Sequence, residues 1–375
     1  MLARNLLTRI WLTFKQQRFE TIAVTIVCVG LTVTALIEAF RLNSLNVPLS
    51  CLQSYQGGYV DPYQAPITAA QAHCNDLAKS FYDLRQSLDM SLVQLLLLFA
   101  PILAGIVVGA PLVAKEIEQG TAPLSWALSG SRRRWLLGKV LAGVVLLAPL
   151  MLAVGLAANV LEGALNPSLN PYASFSNYLG RGIPDVFWAL AAFAGTFALG
   201  TILGRTLPAV VLALVVCFFV RAAWDSGMTH FVLRSFAVPQ SQESQQSQQQ
   251  QGYVVYGPGG PAYADLNIYY RSYIDGREVT DAEVNAWYNQ NMVCVPIAVP
   301  TPDASATPDY SNMGNIATAC EAPTIDQSHF PQQILYVIPG SWYWQTVALE
   351  SGLLLLGSLF CAAVALFRVE RRRPY

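Results

Sequence analysis

The sequence predicts an all-α polytopic membrane protein, and three observations carry that expectation. Of 375 residues, 54% are hydrophobic and only 12% are Asp, Glu, Lys or Arg, where a soluble domain carries about 25% charge. Six apolar stretches come close to the about 20 residues that cross a bilayer core about 30 Å thick. Lys and Arg gather beside these stretches on one side of the implied membrane. With a mean hydropathy of +0.39, so thin a polar skin excludes a cytosolic enzyme and a disordered chain. The net charge of −1 argues against a nucleic-acid binder.

Residues 1–20 are amphipathic. At helical spacing Leu2, Leu6, Leu7, Ile10 and Phe14 share one face, and Arg4, Thr8, Arg9 and Lys15 another. This is the pattern of an interfacial helix whose apolar stripe dips into the headgroup layer. The spans follow at about 21–40, 92–114, 140–161, 186–203, 208–224 and 342–367. The first is full length and is expected to stay as an anchor. Only four residues separate the fourth and fifth, a tight helical hairpin. The fifth is the weakest, being short and holding Arg221 near its end.

With the N-terminus inside, 14 of the 22 basic residues fall in short segments on the inner side, the tail 368–375 included. Both termini are therefore expected in the cytoplasm. The outer side then receives loop 41–91, a shorter loop 162–185 and a small domain over 225–341. That domain opens on the low-complexity run Gln240 to Gln251, reading as a flexible entry. Thr280-Asp281-Ala282-Glu283 forms a capping box leading into a short helix. The domain holds 11 acidic residues against Arg234, Arg271 and Arg277, which reads as a solvated acidic surface.

Cysteine placement agrees with this topology. Cys28, Cys217 and Cys361 fall inside spans, while Cys51, Cys74, Cys294 and Cys320 fall in the two long outer loops. An oxidising exterior favours one disulfide within each loop. Four free thiols, or pairing across the loops, stay open on the sequence alone.

Chemistry of catalysis is not found. The three histidines, His73, His230 and His329, lie far apart, and neither metal-ligand spacing nor a nucleophile elbow is present. No Gly-x4-Gly-Lys-Ser/Thr loop cradles a nucleotide. Two carboxylates inside spans, Glu38 and Glu350, are candidates for a translocation path, because charge in a bilayer is costly. Glu38 reads rather as an interfacial carboxylate, and Arg221 is one partner that could satisfy Glu350. Gly105 with Gly109 and Gly200 with Gly204 allow close helix approach, within the chain or between subunits.

The inner segment 115–139 carries the most information. The second span is expected to run out as a helix through Glu118 and to break at Gly120. Thr121 can cap a short helix over Leu124 to Leu128, and Ser131 can cap the next, which holds Arg132 to Arg134 and enters the third span. Glu118, Gly120, Thr121, the Leu124-x-Trp126 pair, Leu128, Arg132, Arg134-Trp135, Gly138 and Lys139 together resemble the ABC-2-type permease family. Ser129 stands where many members have Pro. The resemblance implies that this stretch is the coupling helix, docking in a groove of a separate ABC ATPase subunit that binds ATP and Mg. It further implies half of a translocation pathway, completed by a second permease subunit, in an exporter of the bacterial plasma membrane. This chain then needs no cofactor and no metal of its own. A membrane-anchored sensor or assembly protein, whose outer domain binds a ligand without transport, is the alternative.

Overall fold

The computed structural model describes residues 15, 17–55, 68–122, 124, 131–240, 265–291, 293–297, 317–321 and 330–371. Six long apolar helices form a bundle: α1 (Arg18–Ser44), α4 (Leu88–Glu118), α5 (Arg132–Leu165), α6 (Pro184–Leu203), α7 (Thr206–Gly227) and α9 (Tyr343–Arg371). The first five contain the sequence-predicted spans, and α9 covers the sixth except Trp342, which lies in the turn before it. Polar ends such as Arg132 to Arg134 continue the helix beyond the apolar stretch. Of the N-terminal 20 residues, Arg18 to Glu20 begin α1; the amphipathic stripe itself lies outside the described residues.

Large apolar side chains cover the perimeter, Phe19, Phe40, Leu207 and Phe360 being at least 70% exposed. Such a surface is at home in lipid. The chain is a multi-pass membrane protein.

Packing inside the bundle centres on α4 and α6. A Cβ on Gly105 would lie 2.4 Å from the Ala189 carbonyl oxygen, and one on Gly109 2.7 Å from that of Phe193. This glycine pair therefore serves close contact between two helices of the same chain. Gly204, with φ +67°, ends α6 in the left-handed conformation and lets the chain turn directly into α7.

α7 runs along the outside of the bundle, with a narrow stripe through Ala209 and Ala213 facing in. Arg221 continues that stripe. It is buried, and its guanidinium lies 4.4 Å from the ring centre of Trp188 on α6. A charge that weakened the fifth span as a sequence thus faces protein rather than lipid.

The loop before α4 holds α2 (Leu49–Ser54) and α3 (Ala69–Arg85), joined by a disulfide between Cys51 and Cys74. Thr68 and Gln71 form a reciprocal capping box at the start of α3. The bridge closes a loop of 23 residues, for which chain entropy predicts a stabilisation of about 3 kcal/mol. Cys51→Ser should lower the unfolding temperature of the intact chain, and reducing the parent should lower it by at least as much.

The domain between α7 and α9 contains a four-stranded antiparallel sheet of order β1-β6-β2-β3, comprising β1 (Val238–Pro239), β2 (Leu266–Ile274), β3 (Arg277–Val279) and β6 (Gln332–Ile338). Asp275 and Gly276, both at positive φ, make the two-residue β2–β3 turn. The capping box is present: Glu283 accepts from the Thr280 N–H at 2.7 Å, and Thr280 Oγ1 accepts from the Glu283 N–H. The Thr280 N–H and hydroxyl, both donating to the Glu283 carboxyl, hold it below its ordinary value. It opens α8 (Asp281–Asn291).

A second sheet pairs β4 (Val293–Ile297) with β5 (Ala317–Glu321), in a register that sets Cys294 directly opposite Cys320. Opposed strand positions bring Cβ atoms within about 4.5–5.5 Å. Mass spectrometry of the unreduced protein is expected to find a Cys294–Cys320 cross-linked peptide; a peptide joining either to Cys51 or Cys74 would overturn the expectation.

Candidate functional site

Two polar sites stand out in an otherwise apolar bundle, one at each end. At the basic end, α4 terminates in a Schellman motif. Thr121 N–H donates to the Glu116 carbonyl and Gly120 N–H to that of Ile117, with Gly120 at φ +69°. The Thr121 hydroxyl also donates back to Glu116 O, so this side chain closes the helix behind it. Ala122 is buried and Leu124 is 66% exposed. Trp126 and Leu128, expected in a short surface helix, lie outside the described residues. Ser131 then caps α5, its Oγ accepting from the Arg134 N–H; the Arg134 side chain is exposed.

The remaining residues of this segment reach four different helices. Lys139 Nζ lies 2.7 Å from Glu116 Oε1 and 2.7 Å from the Leu112 carbonyl, a buried bridge clamping α5 to α4. The Glu118 carboxylate accepts from both the backbone N–H and the hydroxyl of Thr206 at 3.0 Å. It thus sits at the N-terminus of α7, where a negative charge is favoured. Arg132 donates to the carbonyls of Val369 and Glu370 at the end of α9, and Arg133 pairs with Glu370. Lys115 pairs with Glu20 on α1. The segment is therefore wired to α1, α7 and α9, as well as to the two helices it joins.

At the far end, residues 166–183 fold back into the bundle between α5 and α6. Arg181, 1% exposed, anchors this hairpin by donating to the carbonyls of Pro171 and Ser174. Gly182 N–H donates to the Gly155 carbonyl of α5 at 3.0 Å.

The hairpin carries Tyr178 to Glu350 of α9, whose Oε2 accepts from the Tyr178 hydroxyl and whose Oε1 accepts from Trp188 Nε1 at 3.0 Å. Asp185, wholly buried at the start of α6, is surrounded by Arg221, Glu350 and Arg181. Glu350 is thus the centre of a buried network. Arg221 reaches it through Trp188 and the charge of Asp185. Glu38, by contrast, sits on α1 and pairs with Arg41 one turn on, at 2.9 Å.

Sequence reasoning passed over Arg181, Asp185, Tyr178 and Glu162. Their signal was present: Arg181 and Asp185 bracket Gly182-Ile183-Pro184 at a span entry, where charge with a breaker marks backbone turning inside the membrane.

A six-helix polytopic bundle, with a polar foot at one end and a buried carboxylate network at the other, defines the class as a multi-pass membrane protein. Residues 49–228 match the family model described as ABC-2 membrane transporter related. That match, over just under half of the chain, is consistent with an ABC-2-type permease and supports a transporter membrane subunit. The matched residues include α4 to α7 and the segment 115–139, and leave out Glu38 and Glu350. Comparison with curated proteins and with solved structures returned no match.

Proposed function

We propose that the chain is one permease half of an ATP-driven exporter in a bacterial plasma membrane, with its basic end in the cytoplasm. Two copies, or one copy with a similar subunit, would sit over two ABC ATPase subunits that bind ATP and Mg. The segment 115–139 would dock in the ATPase, through Leu124, Trp126 and Leu128 flanked by Arg132 and Arg134.

The wiring of this segment is the observation that supports coupling. A push between the ends of α4 and α5 meets the Lys139–Glu116 clamp, so the two helices move together. Glu118 would carry that movement to α7 and Arg132 to α9. Helix α9 is a continuous rod of 29 residues bearing Glu350, so a tilt at its basic end displaces the far network. The inner side receives most of the Lys and Arg, which supports the orientation.

The test is isolation of the tagged full chain from its native membrane, with the ATPase identified by its co-purification. Leu124→Asp and Trp126→Asp should each reduce ATPase recovery at least about tenfold, since an apolar anchor is what a docking groove buries. Both variants should leave the chain in the membrane at its normal level. Unchanged recovery in both would remove the segment from the interface.

A further inference from the structure

A cavity of about 630 Å³ opens at the far end of the bundle, between α4, α5, α9 and the hairpin 166–183. That volume lies in the range of about 300–1,000 Å³ that accommodates drug-sized ligands. Its walls are mainly apolar. Leu97, Leu98 and Leu161 line its deeper part, with Phe175, Tyr178 and Trp224 as aromatic surfaces. Two carboxylates enter it, Glu350 from α9 and Glu162 from α5. Both are almost fully buried, at 2% and 4% exposure.

Among the described residues, the hydrogen-bond partners of both carboxylates are neutral groups. Glu350 accepts from a phenol and an indole; Glu162 accepts from the side-chain amides of Asn166 and Asn177. Positive groups nearby are directed elsewhere. Arg181 spends its terminal nitrogens on hairpin carbonyls, Arg221 lies over Trp188 facing Asp185, and Arg85 stands half-buried on the α3 side.

We infer that this cavity binds a lipophilic cation, a molecule with an apolar body and an ammonium or other onium group. A cation placed beside these carboxylates can pair with them. Aromatic faces beside them add the attraction of their π systems, and the leucine walls take the apolar body. The proposal deepens the exporter reading by naming the chemical class of what the far-end site holds, yet binding itself requires neither ATPase nor transport.

The probe is tetraphenylphosphonium, with the near-isosteric anion tetraphenylborate as its charge-reversed control. The full chain in nanodiscs is titrated with each ion, following tryptophan fluorescence against empty nanodiscs; Trp224 lines the cavity. The expected result is saturable binding of the cation at least about tenfold tighter than the anion. Glu350→Gln, which keeps the size but exchanges one acceptor oxygen for a donor amide, should weaken the cation about tenfold and spare the anion, and Glu162→Gln should act in the same direction.

Leu98→Trp, filling the cavity with both carboxylates in place, should abolish binding of either ion. That variant decides the matter even where a carboxylate variant loses its fold. Equal affinity for the two ions, or cation binding untouched by Leu98→Trp, overturns the inference. Binding as expected in a chain that recruits no ATPase would overturn the exporter reading and leave the site standing.

Discussion

Replacing Lys139 with Met will cost about 3–5 kcal/mol of stability, the range for leaving a buried charge without its partner. In the full chain in nanodiscs this should read as a fall of about 5–10 °C in unfolding temperature. The Lys139 and Glu116 side chains are 6% and 14% exposed and 2.7 Å apart. The second oxygen of Glu116 is already buried with no hydrogen-bond partner among the described residues. Lys139 is therefore what makes that carboxylate tolerable between α4 and α5.

The companion variant, Lys139→Met with Glu116→Leu, should recover most of the loss, because removing both charges removes the desolvation penalty as well. A single variant as stable as the parent would show that the bridge is not holding the helices. The double variant also separates two roles assigned to Lys139. If it restores stability and ATPase recovery but not ATP-dependent transport, the bridge transmits motion rather than merely tying helices.

Much of this architecture was legible in the sequence because the bilayer imposes length and hydropathy so strictly. All six spans are visible as runs of apolar residues, and the pause at Gly120 and the cap at Ser131 follow from backbone conformation and side-chain length alone. The Cys51–Cys74 bridge is legible from topology, since both residues fall in one outer loop.

The polar interior was harder to read. Glu350 is conspicuous as a charge inside a span, but its donors Tyr178 and Trp188 stand 172 and 162 residues away. Arg221 looked like a defect in the fifth span until Trp188 and Asp185 were placed beside it. Pairings over such distances depend on which helix faces touch, and in a membrane protein lipid-facing and protein-facing sides are equally apolar. The β2–β3 hairpin was overlooked for a simpler reason: its Asp275-Gly276 turn is a strong local signal that an all-helical expectation passed by.

Gly155→Ala will destabilise the chain by about 3 kcal/mol, at the upper end of what an added methyl costs in a packed core. A Cβ at Gly155 would lie 2.2 Å from the carbonyl oxygen of Gly182, and 3.0 and 3.1 Å from its carbonyl carbon and nitrogen. The obstacle is backbone, so no rotamer change relieves it. Nor can the hairpin simply retreat. Gly182 sits at φ +78° and donates to the Gly155 carbonyl itself, and the preceding Arg181 is locked to Pro171 and Ser174.

A shift large enough to admit the methyl therefore moves the hairpin that carries Tyr178 to Glu350. Tetraphenylphosphonium affinity should fall along with stability. Gly195→Ala provides the control: it makes the same chemical change inside α6, where a Cβ meets nothing within 4 Å. There the change should be neutral, or stabilising by up to about 1 kcal/mol through improved helix propensity. Thermal unfolding of the two variants side by side decides the point. Similar stabilities would mean that the hairpin is not seated against α5.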